Sequence, residues 1–242
     1  MPPELRFQAR TDKGLVRANN EDSYLAREEG SLFAVCDGLG GHAAGEIASG
    51  IAIETLDERI QGPASEPADI LSQAVEEANR KILRDQQQNP SHLGMGTTLS
   101  VLWLPAADKS KAWLAHIGDS RVYRLRDGEL SQLTEDHSPV YRLFKEGSLT
   151  KDQIRMHPQK NLIERSLGLT TAVQCDIFAI ATSPGDRYLL CTDGLSDSLS
   201  DAEIAGILGG DAWCEVPSRL IQAALDRGGF DNITVVLVEL MA

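Results

Sequence analysis

The sequence predicts an α+β fold with mainly antiparallel sheets. Two observations predict it: strand-length apolar runs cluster around tight turns, and helical periodicities arrive in pairs between them. In chain order, the first strand is expected at 32–36, an unbroken Leu-Phe-Ala-Val-Cys run. Ala44, Ile47, Ala48, Ile51, Thr55 and Leu56 then recur at three- and four-residue steps, and Leu71, Ala74, Val75, Ala78 and Ile82 repeat the pattern. Both stretches therefore read as amphipathic helices. The segment 61–69 between them carries Gly62, Pro63, Ser65 and Pro67 and reads as a surface connection. Strands are expected next at 97–104, 112–117 and 121–126, with Asp127-Gly128 as a primed hairpin turn leading into 130–133. Residues 137–165 are polar-rich and mixed in pattern, which suits a helical insertion over the surface. A strand at 188–191 precedes two late helices. One is capped at Ser200 or Asp201 and stops at Gly209-Gly210; the other runs from Pro217 through Leu220, Ile221, Ala224 and Leu225 to Gly228-Gly229. The last strand is expected at 233–240.

Composition narrows the function. The chain has 242 residues, 42 % of them hydrophobic, and 36 acidic against 23 basic side chains, a net charge of −13. A chain of this size buries roughly 70–75 % of its unfolded surface, enough for a single domain over 1–242 without staples. The acidic balance and the lack of a Lys/Arg cluster argue against nucleic acid as a partner. No apolar run approaches membrane-spanning length, and the start, Met1-Pro2-Pro3-Glu4-Leu5-Arg6, lacks the order of a secretory signal. Cys36, Cys175, Cys191 and Cys214 show no CxxC spacing, so a reduced, cytoplasmic protein is expected. With no heptad or exposed apolar stripe, a monomer is the default.

The position of the acids is more informative than their number. Asp37 follows the 32–36 run, Asp119 follows 112–117 after one glycine, and Asp193 follows 188–191 after one threonine. Asp231 precedes the last strand, and Glu21-Asp22 precede Tyr24-Leu25. Any one of these reads as an ordinary turn residue. Gathered at one sheet edge, they would repel by several kcal/mol per close pair, and must bind protons or cations. Oxygen donors without a Cys or His pattern suit Mg²⁺ or Mn²⁺ better than zinc. Asp37-Gly38-Leu39-Gly40-Gly41-His42 carries three glycines between a strand and a helix, but neither GxGxxG nor GxxxxGK[ST] occurs.

The ordered blocks Thr11-Asp12-x-Gly14-x-Val16-Arg17-x-x-Asn20-Glu21-Asp22, Asp37-Gly38-x-Gly40-Gly41-His42, Gly96-Thr97-Thr98, Gly118-Asp119-Ser120-Arg121, Thr192-Asp193-Gly194-Leu195 and Asp231-Asn232-x-Thr234 resemble the bacterial protein phosphatase 2C (PPM) family. These are metal-dependent serine/threonine phosphatases. The resemblance implies a four-layer α-β-β-α sandwich, with two antiparallel sheets face to face and helices outside both. It also implies a binuclear Mn²⁺/Mg²⁺ centre at one edge of that sandwich. Carried over by position, Asp37 bridges both ions, the Gly38 carbonyl and, through water, Glu21 serve one, and Asp193 and Asp231 hold the other. Asp22 is expected to act through water behind them, and Asp119 with Asp193 to form a weaker third site. Arg17 is expected to grip the substrate phosphate, and 137–165 matches the family's flap.

On this reading two dications acidify a bridging water, and the hydroxide attacks phosphorus in line without a phosphoenzyme. Arg17 suits bidentate phosphate binding. Its alternative is a solvated surface charge, disfavoured by the adjacent Asn20-Glu21-Asp22. Where some relatives carry a histidine directly after the bridging Asp-Gly, this chain has Leu39. His42 is the nearest candidate to protonate the leaving oxygen; capping the following helix and orienting a water are equal alternatives. His116 is expected to be structural, and His92, His137 and His157 to form no constellation. The substrates implied are phosphorylated proteins, including a serine/threonine kinase or its targets. A binding module on the same fold would lack metal carboxylates, and none is missing; a nuclease conflicts with the charge. A cysteine-dependent tyrosine phosphatase needs Cys-x5-Arg, which is absent.

Overall fold

Strands buried on both faces explain why the apolar runs are continuous. In the computed structural model, which describes residues 4–40, 44–61, 66–105, 110–210 and 212–241, β1 (Leu5–Asp12), β2 (Ser23–Arg27), β3 (Leu32–Cys36) and a two-residue β4 (Gly38–Leu39) come first. Helices α1 (Gly45–Arg59) and α2 (Pro67–Gln88) follow, then β5 (Gly96–Thr97), β6 (Leu99–Trp103), β7 (Lys111–Ile117), β8 (Arg121–Arg126) and β9 (Glu129–Gln132). The segment 137–165 holds α3 (Pro139–Lys145) and α4 (Lys151–Arg155). The chain ends with β10 (Asp176–Ala181), β11 (Arg187–Cys191), α5 (Asp193–Ser196), α6 (Asp201–Leu208), α7 (Val216–Leu225) and β12 (Ile233–Leu240).

Two five-stranded sheets form, in the orders β1-β12-β11-β8-β9 and β10-β7-β6-β3-β2, and their recorded pairings are all antiparallel. Strand alternation then sorts the core into three layers. Phe33, Val35, Leu102, Tyr188, Leu190, Val236 and Val238 fill the space between the sheets. Leu32, Ala34 and Cys36 turn the other way, onto α1 and α2 through Ala48, Ala52, Leu71 and Val75. Leu189, Cys191, Ile233, Val235 and Leu237 turn onto the late helices through Ile204, Leu208, Leu220 and Ile221. The four-layer sandwich implied by the resemblance is the architecture observed.

The local signals hold where they are chemical. Ser200 caps α6 in a reciprocal box with Glu203, and Asp127-Gly128, with φ of 52° and 80°, makes the hairpin turn. The connection at 61–69 lies partly outside the described residues, and Pro67 opens α2. Of the strands in the two five-stranded sheets, three escape the pattern: β1, β2 and β10 are only partly buried and mix polar with apolar residues. The expected strand 97–104 is a further correction, because it breaks at Thr98 into β5 and β6. There the chain leaves the ladder to clamp Asp37. Asp37 N–H donates to Thr98 Oγ1, and the Thr98 N–H and Thr97 hydroxyl both donate to the Asp37 carbonyl, each at 2.9 Å.

Candidate metal centre

One end of the sandwich gathers the acids because antiparallel pairing brings alternate strand ends together. The register sets Val35 of β3 against Ser100 of β6, Leu99 of β6 against Ile117 of β7, and Cys191 of β11 against both Arg121 and Val235. Asp37, Asp119, Asp193 and Asp231 therefore leave the same end of the two sheets. With Arg17, Glu21, Gly38, Leu39, Gly40, Asn161, Ile163 and Asn232 they line one cleft of about 210 Å³. Eight of the expected site residues converge there or directly behind it.

Behind the cleft, Asp22 is buried and accepts bonds from the hydroxyls of Thr192 (2.9 Å) and Thr234 (2.6 Å). Burial, opposed by those two bonds, pushes its carboxyl up to about 7. Burial, with Asp197 and Asp231 next, likewise pushes Asp193 up to about 7 against a hydrogen bond from Asp37. Burial and then Asp193 raise both Asp37 and Asp119 well above the ordinary carboxylate range, and burial followed by Glu46 raises Glu21. At the mouth, Arg17 Nη2 donates to Asp231 Oδ2 at 2.7 Å, and this bond is the main reason its guanidinium holds its proton more firmly than usual.

The donor set fits a hard divalent ion. It is all oxygen, and Asp22 Oδ1, Asp119 Oδ1 and Asp193 Oδ1 are buried without a hydrogen-bond partner. Among the described residues no group of three or more Asp, Glu, His or Cys side chains is arranged to hold an ion as it stands. The fit therefore lies in donor chemistry, burial and raised proton affinity, not in a closed coordination shell.

Some working residues carried no role in the sequence reading. Asn232 is the buried tie of the site: its Oδ1 accepts from Glu21 N–H at 2.8 Å, and its Nδ2 donates to the Lys13 and Asn19 carbonyls at 2.9 Å each. In the sequence it stood only as a member of the Asp231-Asn232-x-Thr234 block, with no role attached. His137 is a correction, since it does belong to a constellation. Its ring lies 4.9 Å from that of His116, its Nδ1 accepts from Gly118 N–H at 3.1 Å, and its Nε2 faces Asp176 at 3.1 Å. The His137 carbonyl accepts from Glu164 N–H at 2.7 Å and its N–H donates to the Gly118 carbonyl at 2.8 Å. Both ends of the segment 137–165 are thus pinned to the turn before Asp119. His92 also has a partner, Asp85 at 2.5 Å, remote in sequence from the cleft residues. His116 is structural as expected, buried on β7 with Nε2 donating to the Glu135 carbonyl at 3.0 Å. His42 lies outside the described residues.

Comparison with known proteins agrees with this geometry. The model of the protein phosphatase 2C family matches residues 16–225. The chain belongs to the protein phosphatase 2C family. It is 43 % identical over 242 residues to the serine/threonine protein phosphatase PstP of Mycobacterium tuberculosis, covering 98 % of this chain and 45 % of that protein. It thus spans about half the length of that relative. It is 39 % identical over 239 residues to the protein phosphatase PhpP of Streptococcus pneumoniae, covering 95 % of each. A crystal structure of the catalytic domain of PstP in complex with two manganese ions superposes with a TM-score of 0.89 at 42 % identity, covering 98 % of this chain and 99 % of that one. The phosphatase 2C sandwich is therefore the fold of this chain. Among the described residues no helix is long and apolar enough to cross a membrane.

Proposed function

We propose that this phosphatase 2C chain is a metal-dependent protein serine/threonine phosphatase. It would hydrolyse phosphoserine and phosphothreonine by in-line attack of water at phosphorus, with residues 1–242 as one catalytic unit and 137–165 as its flap. The observation that carries the reading is the lining of one cleft by Glu21, Asp37, Asp119, Asp193, Asp231 and Arg17. The names of its relatives support it: PstP is a serine/threonine protein phosphatase, its catalytic domain seen with two manganese ions, and PhpP is a protein phosphatase.

Asp37 would bridge two Mn²⁺ or Mg²⁺ ions, with the Gly38 carbonyl and Glu21 on one, and Asp193 and Asp231 on the other. Asp22 would support them from behind, and Asp119 with Asp193 would offer a weaker third position. When bound, the ions supply a water acidified towards neutral pH and positive charge opposite the phosphate. The chain's own contribution is placement. Thr98 and Thr97 fix the Asp37 backbone, Thr192 and Thr234 fix Asp22, and Asn232 fixes the loop carrying Glu21. Arg17 keeps one edge of its guanidinium on Asp231, which aims its planar fork into the cleft for phosphate oxygens. Among the described residues the cysteines are free thiols, which supports a reducing, cytoplasmic setting. The substrates would be phosphoproteins, including those of a serine/threonine kinase it opposes; a monomer rests on the sequence's lack of heptads.

The deciding assay is hydrolysis of p-nitrophenyl phosphate. Turnover is expected with Mn²⁺, none with EDTA, and none from Asp37→Asn, whose fold is checked by circular dichroism. Activity that survives chelation would overturn the reading.

A further inference from the structure

A second groove, of about 360 Å³, adjoins the cleft and shares Arg17, Asn161, Asp193 and Asp231 with it. A substrate held by its phosphate at Arg17 must lay its neighbouring residues along some such surface, and this one is continuous with the cleft. Its cations do not single out an acidic neighbour. Arg17 pairs with Asp231, Lys160 with Asp197 and Arg227 with Glu203. An acidic flank would have to break one of these half-exposed pairs to gain another of similar worth.

The groove's lining is mainly polar, and its one large apolar side chain is Phe230. Phe230 is 69 % exposed; outside the groove's lining, on the loop bonded to Gly229 beside it, Leu15 and Val16 are 69 % and 63 % exposed. Phe230 precedes Asp231 and Val16 precedes Arg17, so both stand one residue from the ion pair at the mouth. They belong to a fixed frame. Leu15 N–H donates to the Gly229 carbonyl at 2.8 Å, and Asn232 ties the same loop through Lys13 and Asn19. The Phe230 ring packs back over Gly228, where φ is +113° and an added Cβ would stand 2.5 Å from the ring. A large aromatic face held in the open beside a binding cleft is a contact surface looking for an apolar partner.

We propose that Phe230, with Leu15 and Val16 as its rim, is the specificity-determining surface for the residue flanking the phosphoserine or phosphothreonine, and that it selects a bulky apolar side chain. This rests on the phosphatase reading above and deepens it. The occupant is the substrate peptide itself.

The test uses the Mn²⁺-loaded protein and phosphothreonine peptides that differ only in the residue adjacent to the phosphothreonine, on either side: leucine, alanine or glutamate. On one side at least, leucine is expected to exceed alanine by about fivefold in kcat/KM, carried by KM, as suits one apolar side chain on an open ledge. Glutamate is expected to do no better than alanine. Phe230→Ser should bring the leucine-to-alanine ratio to about one, and Phe230→Leu should keep most of it. The ratio is internal to each variant, so impaired chemistry does not mask it. Equal rates for leucine and alanine in the wild type, a preference for glutamate, or a ratio retained in Phe230→Ser would each overturn the proposal. Binding of the same peptides, read by fluorescence anisotropy, separates the two readings. A chain inert towards p-nitrophenyl phosphate would sink the enzyme, while its leucine-to-alanine binding ratio still decides the groove.

Discussion

Arg17 shows how a single side chain is set for one task. Half-exposed and joined to Asp231 at 2.7 Å, it contributes little to stability, because exposed pairs are worth about 0–1 kcal/mol. In the proposed function its value would lie in geometry, since a planar fork meets two phosphate oxygens at once and an ammonium meets them only as a point charge. Arg17→Ala is therefore expected to lower kcat/KM on p-nitrophenyl phosphate by about 10²-fold, with Arg17→Lys recovering only part of it. Chemical denaturation should barely move. Loss of stability in step with activity would show that Arg17 is structural.

At the scale of elements, the loop carrying Arg17 and the loop carrying Asp231 form one unit. Gly14, at φ +77°, brings its backbone so close that a Cβ there would stand 2.2 Å from the Asp231 carbonyl and 2.8 Å from that of Gly229. Gly14→Ala is expected to cost about 2–3 kcal/mol in urea unfolding and to cut activity at least tenfold, because it parts Arg17 from Asp231. Near-normal activity in a folded Gly14→Ala protein would refute this coupling. Such ties were the part of the molecule least legible in the sequence. The acids were legible because carboxylates at successive strand ends repeat a pattern, and the central strands because apolar burial on both faces leaves continuous runs. The partly buried β1, β2 and β10 leave no such run. Asn232 and His137 were silent for another reason: an amide or imidazole that joins loops far apart in sequence has no local period, only a partner that folding supplies. The break at Thr98 was hidden likewise, since both halves look like one strand until Asp37 is seen to need the threonine.

For the whole molecule, the cleft is a reserve of unfavourable charge. Asp22 and Asp193, both pushed up to about 7 with burial as the leading cause, hold protons in the folded chain that the unfolded chain releases near the ordinary carboxyl value of 3.8. Groups raised in this way favour folding at low pH, and that contribution is lost as pH climbs through about 7. Without metal, the protein is expected to lose thermal stability from these groups between about pH 4 and 7. Mn²⁺ replaces the protons, so the gain in Tm on adding it should widen over the same interval. His116, held down to about 3 chiefly by burial, acts in the opposite sense but equally in both arms. Paired melts with Mn²⁺ and with EDTA measure the difference, and a gain independent of pH would contradict the account.

The pairing of β1 with β12 joins residues 5–12 to 233–240, and β12 is the strand that completes its sheet between β1 and β11. During synthesis, β1 must wait beside the ribosome until more than two hundred later residues have emerged. Asp231 and Asn232, at the threshold of β12, arrive last of the residues lining the cleft. A chain made as far as residue 230 can therefore hold Arg17, Asp37 and Asp193 and still lack the pocket they line, so translation itself delays the moment at which this cleft is complete.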